Sequence, residues 1–238
     1  MRRTVARSIQ SQSWSLWRSE IDRILFLNIV FNFLLVFLRI VRTGEWTYVS
    51  MIWNLFLATI PYLISKWMSL KPGIFSHRWK LTGVFVVWIF FIPNTFYIIT
   101  DLFHLVPRNE GALWFDLILL MSFSWCGLIM GVLSVRHMEK AMMFHLPRRS
   151  ELSFVYPLMW FNAFGVYIGR YLRYNTWDII CNPLALVYDI GTMILHPLRF
   201  GWAWAMIFFF SIMMTLMYLT IKKISKRISW FIRYTLPK

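Results

Sequence analysis

The chain has 238 residues, of which 59% are hydrophobic, 19% aromatic and only 15% charged. This composition excludes a disordered chain and an ordinary soluble domain. A net charge of +15 would suggest nucleic-acid binding in a soluble protein, but in a membrane protein Lys and Arg collect in the cytoplasmic loops. The sequence therefore predicts an all-α integral membrane protein that does not bind nucleic acid.

Six apolar stretches are each close to the ~20 residues that a ~30 Å hydrocarbon core requires. They cover about residues 24–41, 46–64, 81–100, 112–135, 152–172 and 201–221. No small-residue cleavage site follows the first stretch, so we expect it to be retained as a signal anchor. The predicted parts are a basic cytoplasmic tail (1–21), a six-helix membrane domain (22–221) and a basic amphipathic cytoplasmic tail (222–238) that lies on anionic lipid.

A seventh apolar segment, at about residues 176–197, contains Pro183, Asp189, Gly191 and His196. If it crossed the membrane, almost no turn would remain before the sixth span, and the basic C-terminus would lie on the far side. We therefore predict an interfacial or re-entrant segment.

The charges predict an orientation with both termini in the cytoplasm. Six spans in this orientation leave the outer side with six arginines, which six acids balance, so that the whole net charge lies inside. The outer arginines are Arg39, Arg42, Arg108, Arg170, Arg173 and Arg199, and the outer acids are Glu45, Asp101, Glu110, Asp116, Asp178 and Asp189.

The third predicted span ends in an unusual polar string. At about 100° per residue, Asn94, Tyr97, Asp101 and His104 fall within roughly a quarter turn of a helix. Pro93 has no backbone N–H to donate, so a kink is expected there. Polar side chains inside an apolar span are expensive and mark functional sites by default.

A second polar string ends the fifth span, with Arg170 and Arg173 among tyrosines and then Asn175 and Asp178. In the predicted orientation both strings lie at the outer face. Arginines that only snorkel to lipid headgroups are one alternative, and the start of a helix capped by Asn175 is another.

Asp116 lies about one turn inside the fourth span and needs a partner, for which Arg39, Arg170, Arg173 and His104 are candidates. An ion pair that only locks helices together is the alternative.

Asp101 and His104 are the candidate catalytic residues, because a carboxylate can orient an imidazole for proton transfer. A divalent metal at this pair is possible but not favoured, since two ligands are too few without His196, Asp116 or Asp178; no other cofactor is expected. His137 and Glu139 are predicted to lie in a solvated basic loop.

The string from Pro93-Asn94 through Tyr97-Ile98 and Thr100-Asp101-Leu102 to His104-Leu105 resembles the central motif of a bacterial membrane family, domain of unknown function 1361. Gly169-Arg170, Leu172-Arg173 and the residues 175–178 resemble its second motif. The resemblance covers about residues 24–221 and implies a shared membrane fold in the bacterial cytoplasmic (inner) membrane. It implies no biochemical activity.

The leading hypothesis is an outer-face site that binds or processes an anionic lipid or a lipid-linked headgroup, because guanidinium groups present paired donors to phosphate and carboxylate oxygens. A proton-linked carrier that uses Asp101, His104 and Asp116 as relay groups is a second hypothesis. A structural or partner subunit is a third. The residues of the leading hypothesis are Asn94, Tyr97, Asp101, His104, Asp116, Arg170, Arg173 and Asp178.

Overall fold

The structure is a computed structural model that describes residues 19–71, 78–105, 113–145, 150–174 and 178–235. Most of the predicted N-terminal tail (1–18), the last residues (236–238) and the helix start predicted at Asn175 lie outside the described residues.

The described residues form nine α-helices and one 3-10 helix. They are α1 (Glu20–Thr43), α2 (Val49–Leu70), α3 (Arg78–Phe91), α4 (Pro93–Tyr97), the 3-10 helix (Ile98–His104), α5 (Leu113–His145), α6 (Glu151–Arg170), α7 (Asp178–Cys181), α8 (Pro183–Leu195) and α9 (Gly201–Thr235). Six helical segments are long and apolar enough to cross a membrane, the third being the combined segment Trp79–His104. The all-α prediction with six spans is therefore confirmed.

The segment between the fifth and sixth spans is too short to cross. Its longest helix, α8, has 13 residues, and at ~1.5 Å per residue it covers about 20 Å of a ~30 Å core. An interfacial or re-entrant segment has these proportions. The orientation of the bundle in the membrane stays a prediction.

Helix α5 is the centre of the bundle. Of its most apolar window 67% is buried, against 28–39% for the other five spans, and it packs against α1, α2, α4, α6 and the 3-10 helix. A helix that is apolar on all sides belongs in the interior, and α5 has this pattern up to Val135. Helix α6 packs mainly on α9 and α4, so α4 is enclosed between α5 and α6.

The third span is not a continuous α-helix. Helix α3 ends at Phe91, and Pro93 begins α4 as its first residue, which is the break that the proline predicts. The Thr95 hydroxyl donates to the carbonyl of Ile92 at 2.8 Å, and Ser124 Oγ donates to that of Ile98 at 3.1 Å. Irregular backbone at membrane depth is tolerated where other protein groups satisfy it, and side chains do so here.

Two glycine pairs let the neighbouring helices approach this broken segment closely. Gly127 and Gly131 lie on α5, and Gly165 and Gly169 lie on α6, each pair at the spacing that brings membrane helices together. A Cβ atom at Gly131 would lie 2.5 Å from Thr95 Oγ1, and one at Gly165 would lie 2.8 Å from two ring carbons of Pro93. The glycines therefore fix the position from which the following 3-10 helix presents its polar side chains.

Candidate functional site

Asp101 is the buried centre of the candidate site. It lies on the 3-10 helix and is only 1% exposed. Its Oδ1 accepts from Arg170 Nη1 at 3.2 Å, and its Oδ2 accepts from Asn54 Nδ2 at 3.1 Å. The two polar strings and helix α2 thus meet at one carboxylate. We call Asn54, Tyr97, Asp101, His104 and Arg170 the Asp101 cluster.

Arg170, at the end of α6, donates to several groups of the third span. Its Nη2 donates to the carbonyl of Thr100, and its Nη1 also lies 3.4 Å from the Tyr97 hydroxyl. The guanidinium carbon lies 5.6 Å from the centre of the Tyr97 ring and 5.5 Å from that of Phe103, within cation–π range. These contacts hold the side chain of Arg170 in one place, and 12% of it is exposed.

His104 is the exposed member of the Asp101 cluster. Its Nε2 lies 3.1 Å from Arg170 Nη1. An arginine only donates, so a hydrogen bond at this contact has Nε2 as its acceptor. In a 3-10 helix residues three apart are eclipsed, which brings Asp101 and His104 to the same guanidinium nitrogen. His104 is therefore the solvent-exposed side of the cluster, whereas Asp101 is buried.

Asp116 does not belong to this cluster. Both of its carboxylate oxygens accept from Arg39, at 2.6 and 3.1 Å, and the Tyr48 hydroxyl donates to Oδ2 at 3.1 Å. Arg39 was one of its four candidate partners, and the bidentate geometry is the strong one for a guanidinium and a carboxylate. Tyr48 and Asn54 both lie near the start of α2 and contact Asp116 and Asp101 respectively, so the two ion pairs lie at the same end of the bundle.

Two further carboxylates are buried at the opposite end. Asp22 accepts from Lys66 and, at 2.7 Å, from the Tyr62 hydroxyl. Glu139 accepts from Lys222 at 2.5 Å and from the Tyr218 hydroxyl. Within the described ranges, every buried acid thus has a cation beside it, and a tyrosine contacts the acid or its cation.

The prediction of a solvated loop around His137 and Glu139 was wrong. Helix α5 continues to His145, and Glu139 is buried because its carboxylate meets Lys222 of α9. His137 is half-buried and stacks on Tyr62 with ring centres 6.2 Å apart.

We call the four buried acids of the described part of the chain, each with its cation and tyrosine, the acid–cation–tyrosine groups. Three of them share a hydrogen bond that the group at Asp101 lacks. In all four the cation lies 5.6 to 5.8 Å from the tyrosine ring centre. Around Asp22, Asp116 and Glu139 the tyrosine hydroxyl donates to the carboxylate, whereas Asn54 occupies that position at Asp101. The Asp101 cluster alone places an exposed imidazole on its cation, so it is the group most suited to a ligand.

The remaining predicted residues are not members of the Asp101 cluster. The Asn94 side chain donates to the carbonyl of Phe91 at 3.0 Å. Arg173 is exposed, and its φ of 61° makes it the one described residue other than glycine with positive φ. Asp178 begins the short helix α7. Among the described residues no three His, Cys, Asp or Glu side chains come together as metal ligands would.

A hydrogen bond attaches helix α8 to the loop after Arg170. The Tyr174 hydroxyl donates to Asp189 Oδ2 at 2.8 Å. This bond to a carboxylate raises the pKa of Tyr174 above its ordinary value. Asp189 in the seventh apolar segment is thereby connected to the second polar string.

Sequence analysis did not identify Asn54 or the glycine pairs as part of the site. Asn54 is a lone amide in an apolar span, and nothing in its spacing connects it with Asp101. The glycine pairs did carry a signal, the four-residue spacing at 127 and 131 and again at 165 and 169.

The fold and the site define a multi-pass membrane protein whose six apolar helices are held together by buried ion pairs at both ends. The family model described as a protein of unknown function, DUF1361, matches residues 53–220. The chain belongs to this family. No curated protein and no solved structure matched the chain.

Proposed function

We propose that the Asp101 cluster binds the headgroup of an anionic lipid or of a lipid-linked precursor at the extracytoplasmic face of the membrane. The observation that carries this proposal is the contact between the exposed imidazole of His104 and the guanidinium of Arg170 at 3.1 Å. An approaching phosphate or carboxylate meets the exposed imidazole of His104 and the arginine immediately behind it. Charge-assisted bonds of this kind are the strong ones.

The two arginines of the second polar string favour an anion. Asp101 neutralises Arg170, and the imidazole of His104 lies 3.1 Å from Nη1 of that arginine. Arg173, exposed just beyond the end of α6, adds one further positive charge. A negatively charged headgroup can therefore pair with the guanidinium of Arg173, since that of Arg170 is already neutralised by Asp101.

The backbone of Arg173 supports a role for this residue. A left-handed conformation costs a residue with a Cβ of order 1 kcal/mol or more, and such strain concentrates at ligand-binding and active sites. Here a φ of 61° occurs three residues after the arginine of the cluster. Selection for a turn alone would favour glycine at this position.

If the headgroup is processed as well as bound, the same geometry assigns His104 the role of proton acceptor and Asp101 that of a positioning residue. When an anion takes the Arg170 N–H that His104 now accepts, Nε2 becomes available to accept a proton from water or from a substrate hydroxyl. Asp101 then positions Arg170, because a carboxylate that is 1% exposed and bonded to two side chains is poorly placed to meet a substrate.

Native mass spectrometry of the purified full-length protein with its co-purified lipids tests this proposal. His104→Ala, Arg170→Ala and Arg173→Gly should each retain about tenfold less anionic lipid than the wild type, the effect of losing one charge-assisted hydrogen bond. Arg173→Gly removes the charge and keeps the left-handed backbone accessible. Arg42→Ala is the matched control, because Arg42 is also exposed at the end of a span, α1. Equal lipid retention in all variants would refute headgroup binding.

A structural role is the second candidate function, and the other three acid–cation–tyrosine groups favour it. If the Asp101 cluster only locks helices, Asp101→Asn and Arg170→Ala will lower stability while His104→Ala leaves stability and lipid retention unchanged. The exposed histidine therefore separates the two candidates.

A further inference from the structure

An apolar groove runs between α2 and α3, away from the Asp101 cluster. It has a volume of about 550 Å³ and is lined by Leu63, Ile64, Trp67, Gly83, Val84 and Val87. Trp67 directly follows Lys66, whose ammonium group pairs with Asp22. The groove therefore opens at the end of the bundle opposite to the Asp101 cluster.

Gly83 is the residue that keeps the groove open. A Cβ atom added there would have no other atom within 4 Å, in contrast to Gly131 and Gly165, where it would clash. Gly83 thus leaves a recess between the two helices. Its apolar lining suits an apolar ligand.

Cationic and aromatic side chains surround the mouth of the groove. Lys71 Nζ lies 4.8 Å from the centre of the Trp67 ring, and Trp67 itself lines the groove. On α3, the exposed Trp79 and Lys80 lie four and three residues before Gly83, on the same face of the helix. Trp and Lys at a helix end are typical of the headgroup level of a membrane.

We infer that this groove binds one acyl chain of an anionic phospholipid, whose headgroup lies against Lys71 and Lys80. The inference is independent of the proposed function, since it concerns other residues at the other end of the bundle. It fits the predicted orientation, in which this end faces the cytoplasm and carries the net charge of +15. Cytoplasmic leaflets attract basic residues through their anionic lipids.

The dimensions favour an acyl chain over a protein segment. The lining residues lie within about one turn of each helix, from 63 to 67 and from 83 to 87. This is about 6 Å along a helix axis. This lined part is shorter than the width of about 10–12 Å that a partner helix with its side chains has. The polar share of the lining is minimal, as an acyl chain requires.

The test is native mass spectrometry of the full-length protein, with dioleoylphosphatidylglycerol and dioleoylphosphatidylcholine as matched probes. The two lipids share their acyl chains and differ in headgroup charge. Gly83→Leu fills the groove, and the double variant Lys71→Gln with Lys80→Gln removes the charge at its mouth. Val86→Leu is the control for added bulk, because Val86 is exposed on the same helix and does not line the groove.

The wild type and Val86→Leu should retain phosphatidylglycerol about tenfold better than phosphatidylcholine, a difference that corresponds to one charge-assisted contact. Both groove variants are measured on the His104→Ala background, so that lipid at the Asp101 cluster does not contribute. On this background Gly83→Leu should lose both lipids about tenfold, and the double lysine variant should lose the preference for phosphatidylglycerol. Unchanged retention in Gly83→Leu would overturn the inference, as would equal retention of both lipids by the wild type. A dimer of the chain that only Gly83→Leu abolishes would also overturn it. If Gly83→Leu does not fold, the lysine variant decides.

Discussion

Arg170 Nη1 and Asp101 Oδ1 lie 3.2 Å apart although their residues are separated by 69 positions in the chain. The pair joins the end of α6 to the 3-10 helix of the third span. Among the described residues it is one of four buried ion pairs, two at each end of the bundle, that connect different helices. The third span, broken at Pro93, can keep its geometry because this pair and the glycine pairs hold it on both sides.

Asp101→Asn should strongly destabilise the protein. The substitution leaves the guanidinium of Arg170 buried without its countercharge, and breaking a buried pair by removing one partner costs about 3–5 kcal/mol. The free energy of unfolding in detergent measures this loss. Arg170→Gln added to Asp101→Asn should recover part of it, because no unpaired charge remains. Two strictly additive losses would show that the residues do not form a coupled pair.

Gly165→Ala should destabilise the bundle, whereas Gly83→Ala should stabilise it. At Gly165 the new Cβ would lie 2.8 Å from the Pro93 ring, which cannot rotate away, and such overpacking costs about 1–3 kcal/mol. At Gly83 the space is open, and alanine in a helix is favoured over glycine by about 1 kcal/mol. Thermal unfolding of the two variants compares them directly. A similar shift in both would contradict the close approach at Pro93.

Tyr48→Phe should weaken the Asp116 ion pair. The substitution removes the hydroxyl that donates to Asp116 Oδ2 at 3.1 Å, and hydrogen bonds to charged groups contribute about 1.5–3 kcal/mol. Chemical unfolding in detergent should show a loss of this size. Tyr156→Phe is the control, because its hydroxyl has no hydrogen bond to other described residues, and it should leave stability unchanged. Equal effects of both substitutions would rule out a specific bond at Asp116.

The attachment of α8 to the preceding loop should depend on alkaline pH. The pKa of Tyr174 is raised by its bond to Asp189, so the stabilisation is present below the ordinary tyrosine pKa of about 10 and is lost as the pH rises through the raised value. Tyrosinate absorbance of the wild type minus that of Tyr174→Phe gives the titration of this one group. Its midpoint should lie above about 10.

Asp189→Asn provides the control for this titration. Asparagine keeps an acceptor but removes the negative charge, so the midpoint for Tyr174 should fall toward the ordinary value. A midpoint that does not respond to this substitution would mean that the bond between Tyr174 and Asp189 does not cause the shift.

The sequence by itself determined the class of the protein and the positions of the six spans, because an apolar run of bilayer length has few alternatives to a membrane helix. It also determined which stretch of the third span is irregular, since Pro93 cannot continue a helical hydrogen-bond pattern. Local chemistry along the chain is sufficient for both.

Only the tertiary structure decided which acid meets which cation. Asp116 had four candidate partners at one face, and its choice of Arg39 depends on how α1 packs against α5. Glu139 was predicted to lie in a loop, but it pairs with Lys222, which the packing of α9 brings close to it. Ion pairing is set by distances between helices, and spacing along one helix carries no information about its neighbours.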